Sequence, residues 1–180
     1  MSKKIDNILH VFTLDSYRKF SVREVARLVR VSPSTASKYL NQLLKEGFLK
    51  SVEERNCILY SADIENRQFK DLKIYSNIKK IRLSGIIEFI EKELNYPELI
   101  QLFGSFAKGE NRKESDIDLF ILSESKLTLD LTRFEKKLGA GIQIFQYNRK
   151  NLEKMKITNK ELLNNIINGI TLSGFFEVFR

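Results

Sequence analysis

Two aspartates one residue apart, Asp116 and Asp118, open the apolar run 117–122. On a strand, residues two apart project from the same face, about 7 Å from each other. Two carboxylates aimed to one side repel unless a cation lies between them. Mg²⁺ or Mn²⁺ takes such hard oxygen ligands and completes its shell with phosphate oxygens and water. Upstream, Gly104-Ser105 precedes Asp116 with ten residues between Ser105 and Asp116. A glycine there allows a backbone to approach a phosphate closely. A serine opening the helix that follows offers hydroxyl and amide donors to the same phosphate. Lys108, Arg112 and Lys113 add positive charge to the intervening segment.

Other chemistries lack their residues. The chain has one histidine, His10, and one cysteine, Cys57. An intrachain disulfide, a zinc knuckle and a histidine-rich metal site are therefore excluded. The 180 residues carry a net charge of +8, which favours a polyanionic partner. Residues 1–95 hold eighteen basic and twelve acidic side chains, a net of +6, so the attraction belongs mainly to the first half. No apolar run approaches the ~18 residues of a membrane span, and the expected setting is cytoplasmic, with no membrane partner.

The elements that must carry the aspartates read as follows. Residues 99–103 (LIQLF) form a buried strand ending at Gly104, and 116–122 form the next strand. Residues 141–147 (GIQIFQY) supply a later strand, and residues 151–155 and 160–172 read as helices. Between 66 and 94 the pattern is helical, with Phe69, Leu72, Tyr75, Ile78, Ile81, Ile86 and Phe89 on one side and Gly85 as a break.

The pattern Gly-Ser-x10-Asp-x-Asp resembles that of the minimal nucleotidyltransferases, small members of the polymerase-beta-like superfamily, and the resemblance extends over about residues 78–180. It implies transfer of a nucleoside monophosphate from a nucleoside triphosphate, ATP first among candidates, to an acceptor hydroxyl. Asp116 and Asp118 would be the catalytic metal ligands, and Gly104, Ser105 and Lys108 would contact the nucleotide. The family's third carboxylate, on a later strand, has Gln143 at the matching position. Its common arginine in the intervening turn is Lys108.

The first 63 residues follow a different plan. An amphipathic helix over 4–14 precedes Ser21-Val-Arg-Glu24, a capping box. Ser32-Pro33 then starts a helix running to Glu46, with Gly47 suited to its left-handed stop. Residues 48–52 and 57–62 read as a hairpin around 53–56. This succession resembles the winged helix-turn-helix modules, whose partner is double-stranded DNA. It places Ser34, Thr35, Ser37, Lys38 and Asn41 on the outer, N-terminal side of the recognition helix, and Arg55 on the wing with Lys50 and Asn56.

The expected fold class is thus α+β: a winged helix-turn-helix over 1–63, a helical connector over 64–95 whose second half is the first helix of the next domain, and a nucleotidyltransferase domain over 96–180 with a small mixed sheet flanked by helices. The expected function is a DNA-binding transcriptional regulator whose second domain binds a nucleoside triphosphate and Mg²⁺, with weak or partner-dependent transfer. The alternative is an active nucleotidyltransferase modifying a protein or RNA hydroxyl, as the antitoxin to a separate helical toxin. A homodimer is compatible with both.

Overall fold

The computed structural model describes residues 3–177. It divides into two compact units, with the boundary between residues 73 and 74, inside one helix.

In the first unit, α1 (Lys3–Leu14) leads to a two-residue strand β1 (Phe20–Ser21), then α2 (Val22–Val29) and α3 (Pro33–Lys45). The Ser21 hydroxyl accepts the Glu24 amide, capping α2, while the Glu24 carboxylate pairs with Arg18. Ser32 caps α3 by accepting the Thr35 amide, and Pro33 occupies the first turn, where no amide is needed. At the other end the Phe48 amide donates to Leu43 and the Gly47 amide to Leu44, with Gly47 at φ +78°. That pairing is a Schellman stop. Strands β2 (Leu49–Glu54) and β3 (Cys57–Ala62) pair antiparallel, Glu54 opposite Cys57. Only Arg55 and Asn56 turn the chain, both left-handed at φ +50° and +61°, as a two-residue hairpin with a type I′ twist requires. β1 joins β3 through Phe20–Tyr60 and Ser21–Leu59, so the expected hairpin is a three-stranded sheet in the order β1-β3-β2. Ile5, Ile8, Phe12, Val25, Leu40, Leu43, Tyr60 and Phe69 fill the core.

Helix α4 (Arg67–Ser84) supplies Phe69 and Leu72 to that core, and Ile78 and Ile81 to the core of the second unit. Tyr75, expected on the apolar side, is 61% exposed. Gly85, at φ +82°, ends α4 and starts α5 (Ile86–Glu93). The first part of the expected connector thus adds apolar residues to the first core and the later part to the second.

The second unit is a four-stranded mixed sheet covered on both faces. Its strands are β4 (Leu99–Phe103), β5 (Ile117–Leu122), β6 (Ile142–Tyr147) and β7 (Ile170–Gly174), ordered β6-β5-β4-β7. β5 runs parallel to β6 and antiparallel to β4, and β7 is antiparallel to β4. The short α6 (Gly104–Lys108) follows β4, and α7 (Thr132–Leu138), which periodicity did not reveal, makes the crossover from β5 to β6. On one face Ile117, Leu119 and Ile121 pack with Ile86, Ile90 and Phe134. On the other, Phe120 and Leu122 pack against Leu152 and Met155 of α8 (Arg149–Thr158) and Leu163 and Ile166 of α9 (Lys160–Ile167).

The helix expected to reach residue 172 stops at Ile167, and β7 takes its place. Gly169 explains the change of direction: a Cβ there would fall 2.4 Å from the Leu102 carbonyl oxygen, so the chain crosses β4 where no side chain fits. Buried Gln101 fastens the same corner, donating to the Ile166 carbonyl and accepting from Thr171 at 3.4 Å. Arg149 joins strand start, helix start and C-terminal segment, donating to Glu98 at 2.9 Å and to the Glu177 carbonyl at 2.7 Å.

The caps carry a first prediction. Ser32→Ala removes the oxygen that the Thr35 amide and the Ser34 and Thr35 hydroxyls all approach within 3.2 Å. The change should cost about 1 kcal/mol. Urea denaturation should show a lower midpoint with an unchanged slope; an unaltered midpoint would refute the cap's contribution.

Candidate functional site

β4 delivers Gly104 and β5 delivers Asp118, because Phe103 pairs with Asp118 across the antiparallel ladder. Gly104 takes φ +69°, and a Cβ on it would lie 2.2 Å from Asp118 Oδ2. Both the turn and the carboxylate exclude a side chain at that position. Between them, α6 ends at Gly109, also left-handed, and the Ser115 hydroxyl accepts the Arg112 amide at 2.9 Å to close the turn before Asp116. Asn77 of α4 anchors this segment, donating to the Phe106 carbonyl at 2.9 Å and to Asn111 Oδ1 at 2.8 Å.

Asp116 is exposed and Asp118 half-buried. Burial raises the Asp118 carboxyl above the ordinary aspartate range, and the neighbouring Asp116 charge adds to the rise. Ser105 is half-buried in the first turn of α6, and Lys108 is exposed in its last. With five residues, α6 brings local amides and a hydroxyl to the site and little helix dipole. Arg112 and Lys113 are exposed on the following turn.

Across the other edge of β5, the parallel register sets Gln143 directly opposite Asp118. Its side chain is exposed and neutral. One step earlier, Gly141 lies beneath Asp116: a Cβ there would fall 2.3 Å from Asp116 Oδ1. Periodicity gave no signal for Gly141, because the contact depends on strand pairing across 25 residues. Among the described residues, no cluster of three or more His, Cys, Asp or Glu side chains could enclose a metal. The donor set is two carboxylates, which suits a cation that keeps water and phosphate as its remaining ligands.

In the first unit, Ser34, Lys38, Asn41, Gln42 and Lys45 are exposed along one side of α3, while Thr35 and Ser37 are half-buried. The Ser34 and Thr35 hydroxyls both bond the Ser32 cap, so they stiffen the helix start. Asn41 Oδ1 accepts the Tyr60 hydroxyl at 3.0 Å, a link between α3 and β3 that the sequence pattern did not suggest. Arg55 is exposed at the hairpin tip. Lys50 is paired with Asp63 at 2.8 Å, a bond that lowers the Asp63 carboxyl and reduces the charge Lys50 offers to a ligand.

The family model described as "Nucleotidyltransferase domain" matches residues 83–170. No curated protein matches the chain. Among solved structures, two mutants of Lactococcus lactis ZitR align at 20% identity with TM-scores of 0.38 and 0.39. They cover 48% and 51% of this chain, which spans 60% and 64% of theirs. Sso10a-2, a DNA-binding protein from Sulfolobus solfataricus, aligns at 18% identity with a TM-score of 0.35, over 52% of this chain and 97% of its own. No described helix is long and apolar enough to cross a membrane. The chain thus carries a nucleotidyltransferase-type domain over residues 83–170, within an α+β architecture.

The raised Asp118 carboxyl yields a second prediction. The native state holds this proton more tightly than the unfolded chain, so stability falls as pH rises from the ordinary aspartate range through the raised value. Above that window the ionised carboxylate opposes folding. Asp118→Asn should therefore melt at a higher temperature than wild type at pH 7 in chelator, and the gap should shrink at pH 4. Thermal denaturation at both pH values checks this; a variant that melts lower at pH 7 would count against it.

Proposed function

We propose that the chain is a DNA-binding regulator whose second unit binds a nucleoside triphosphate with Mg²⁺, and that nucleotidyl transfer by it is weak or partner-dependent. One observation carries this reading: the neutral Gln143 stands opposite Asp118, beside two intact carboxylates. The pair and Gly104 supply the means to hold a metal-bound triphosphate, ATP being the first candidate. An amide at the third position cannot take a proton from an acceptor hydroxyl.

Each residue has a role in this reading. Asp116 and Asp118 hold the cation, which when bound neutralises phosphate charge and polarises the phosphorus centre. Gly104 gives the phosphates access to backbone, Ser105 offers its hydroxyl and amide, and Lys108 offers a positive charge from the end of α6. In the first unit, Lys38 and Asn41 face the major groove from α3, with Ser34, Thr35 and Ser37 around the helix start, and Arg55 reaches phosphate from the wing. A cytoplasmic setting belongs to the same proposal.

A second reading, an active transferase acting on a protein or RNA hydroxyl as the antitoxin of a helical toxin, draws support from the intact Gly-Ser and Asp pair. Radiolabelled ATP with Mg²⁺ separates the two. Saturable binding without label transfer supports the regulator, whereas label on any protein or RNA at enzyme-like rates supports the transferase. The double variant Asp116→Asn/Asp118→Asn should lose cation-dependent nucleotide binding and keep its fold. Gln143→Asp should raise transfer at least tenfold if the missing base limits the rate, within the range general bases contribute, about 10²–10⁴. Because position 143 is exposed, the added charge should carry little burial cost; no rise in transfer would sink the assignment.

DNA binding is tested separately. Full-length protein should bind duplex DNA with an affinity that falls steeply with salt, as counterions leave the phosphates. Lys38→Ala should reduce discrimination among sequences more than bulk affinity if it reaches base edges, whereas a phosphate contact would lower the salt slope by about one. No mobility shift at low salt on a pool of fragments would overturn the DNA-binding reading.

A further inference from the structure

The backbone conformation of Gly141 does not call for a glycine. Its φ lies outside the left-handed region, so the chain conformation at this position accepts any residue. Its carbonyl accepts the Ile117 amide at 2.8 Å, which fixes it beside the start of β5. Among the described residues, the atoms an added Cβ would approach most closely all belong to Asp116, with Oδ1 at 2.3 Å and Cγ at 3.2 Å. Gly139 makes the contrast. It is left-handed at φ +63°, and a Cβ there would touch nothing within 4 Å, so turn geometry accounts for it.

We infer that Gly141 is a positioning residue for Asp116, keeping open the space in which that carboxylate lies so that it stays beside Asp118. The inference rests on the proposal that the two aspartates bind a divalent cation. Each carboxylate then has its own glycine at the end of a flanking strand: Gly104 just after β4 for Asp118, and Gly141 just before β6 for Asp116. The symmetry has a consequence for substitution. A methyl group at 141 meets the outer end of an exposed aspartate, which can rotate away at little cost to the fold. What rotates is the metal ligand. Stability and metal affinity should therefore separate, with the fold nearly unchanged and the site damaged.

The experiment is a double-mutant cycle on the full chain, with Mn²⁺ alone as probe and free Mn²⁺ followed by electron paramagnetic resonance. Wild type, Gly141→Ala, Asp116→Asn and the double variant are compared at one pH, together with their melting temperatures. Gly141→Ala should weaken Mn²⁺ binding by about tenfold, in the range that supporting groups around metal sites command. In the Asp116→Asn background the same change should have no further effect, because the ligand it displaces is already lost. Unaltered Mn²⁺ affinity in Gly141→Ala overturns the inference, and so does an equal loss in both backgrounds. If Gly141→Ala fails to fold, Gly141→Ala with Asp116→Ala decides: recovery of the fold supports the contact, and failure in both refutes it. Wild type that binds no Mn²⁺ overturns the cation reading itself, an outcome distinct from either failure of the glycine's role.

Discussion

Two like charges must be held side by side at the start of a strand whose later residues are buried on both faces. That requirement governs the second unit. Asp116 and Asp118 lie where β5 enters the sheet, just before Leu119, Phe120, Ile121 and Leu122 become inaccessible to water. Moving the pair further along the strand would bury both carboxylates without compensation, a cost of several kcal/mol per ion. Leaving them on a free loop would let repulsion separate them. The observed position lies between these limits: one carboxylate is exposed, the other half-buried, and the strand backbone sets their spacing. The neighbouring strands leave room for both carboxylates, since each contributes a glycine where a side chain would intrude.

Gln143 acts on the same electrostatics from the third strand. A carboxylate at its position would add a third negative charge opposite Asp118, whose proton is already held more tightly by burial and by Asp116. A neutral amide spares the cation-free protein that repulsion. The amide also offers no group at that position that could take up a proton. In the proposed reading, this arrangement would favour retention of a bound nucleotide over its turnover.

How much of this was legible in the sequence depended on the range of the interaction. The Asp116–Asp118 spacing and Gly104-Ser105 were readable because strand alternation and glycine's freedom are local rules. Ser32, Pro33 and Gly47 announced the limits of α3 for the same reason, and Gly85 the end of α4. Gly141 was silent because its contact exists only when β5 and β6 lie parallel in one particular register. The Tyr60–Asn41 bond likewise joins residues nineteen apart. β1 has two residues, too few to show a period, and is defined by its pairing with β3. In sequence the passage from α9 to β7 reads as one helix, because Ile166, Ile167 and Ile170 continue an apolar spacing that suits a helix. The close approach of Gly169 to β4, a tertiary constraint, decides otherwise.

The first unit solves a different problem, the fixing of a few polar groups on a surface that attracts by charge. In the proposed DNA-binding reading, exposed Arg23, Arg27, Arg30, Lys38, Lys45 and Arg55 would offer attraction that any duplex satisfies. Selectivity needs groups with little freedom to reorient, since a side chain that adapts to every base distinguishes none. Asn41 meets that condition better than its lysine neighbours. Its carbonyl oxygen is engaged by the hydroxyl of buried Tyr60, which limits the freedom of an otherwise exposed side chain. The bond also joins the middle of α3 to the central strand of the sheet. Helix and hairpin are thereby coupled, and a shift of one against a groove would be felt by the other. In the proposed reading, affinity comes from the arginines and lysines around the module, and sequence preference from the few side chains that the fold itself orients.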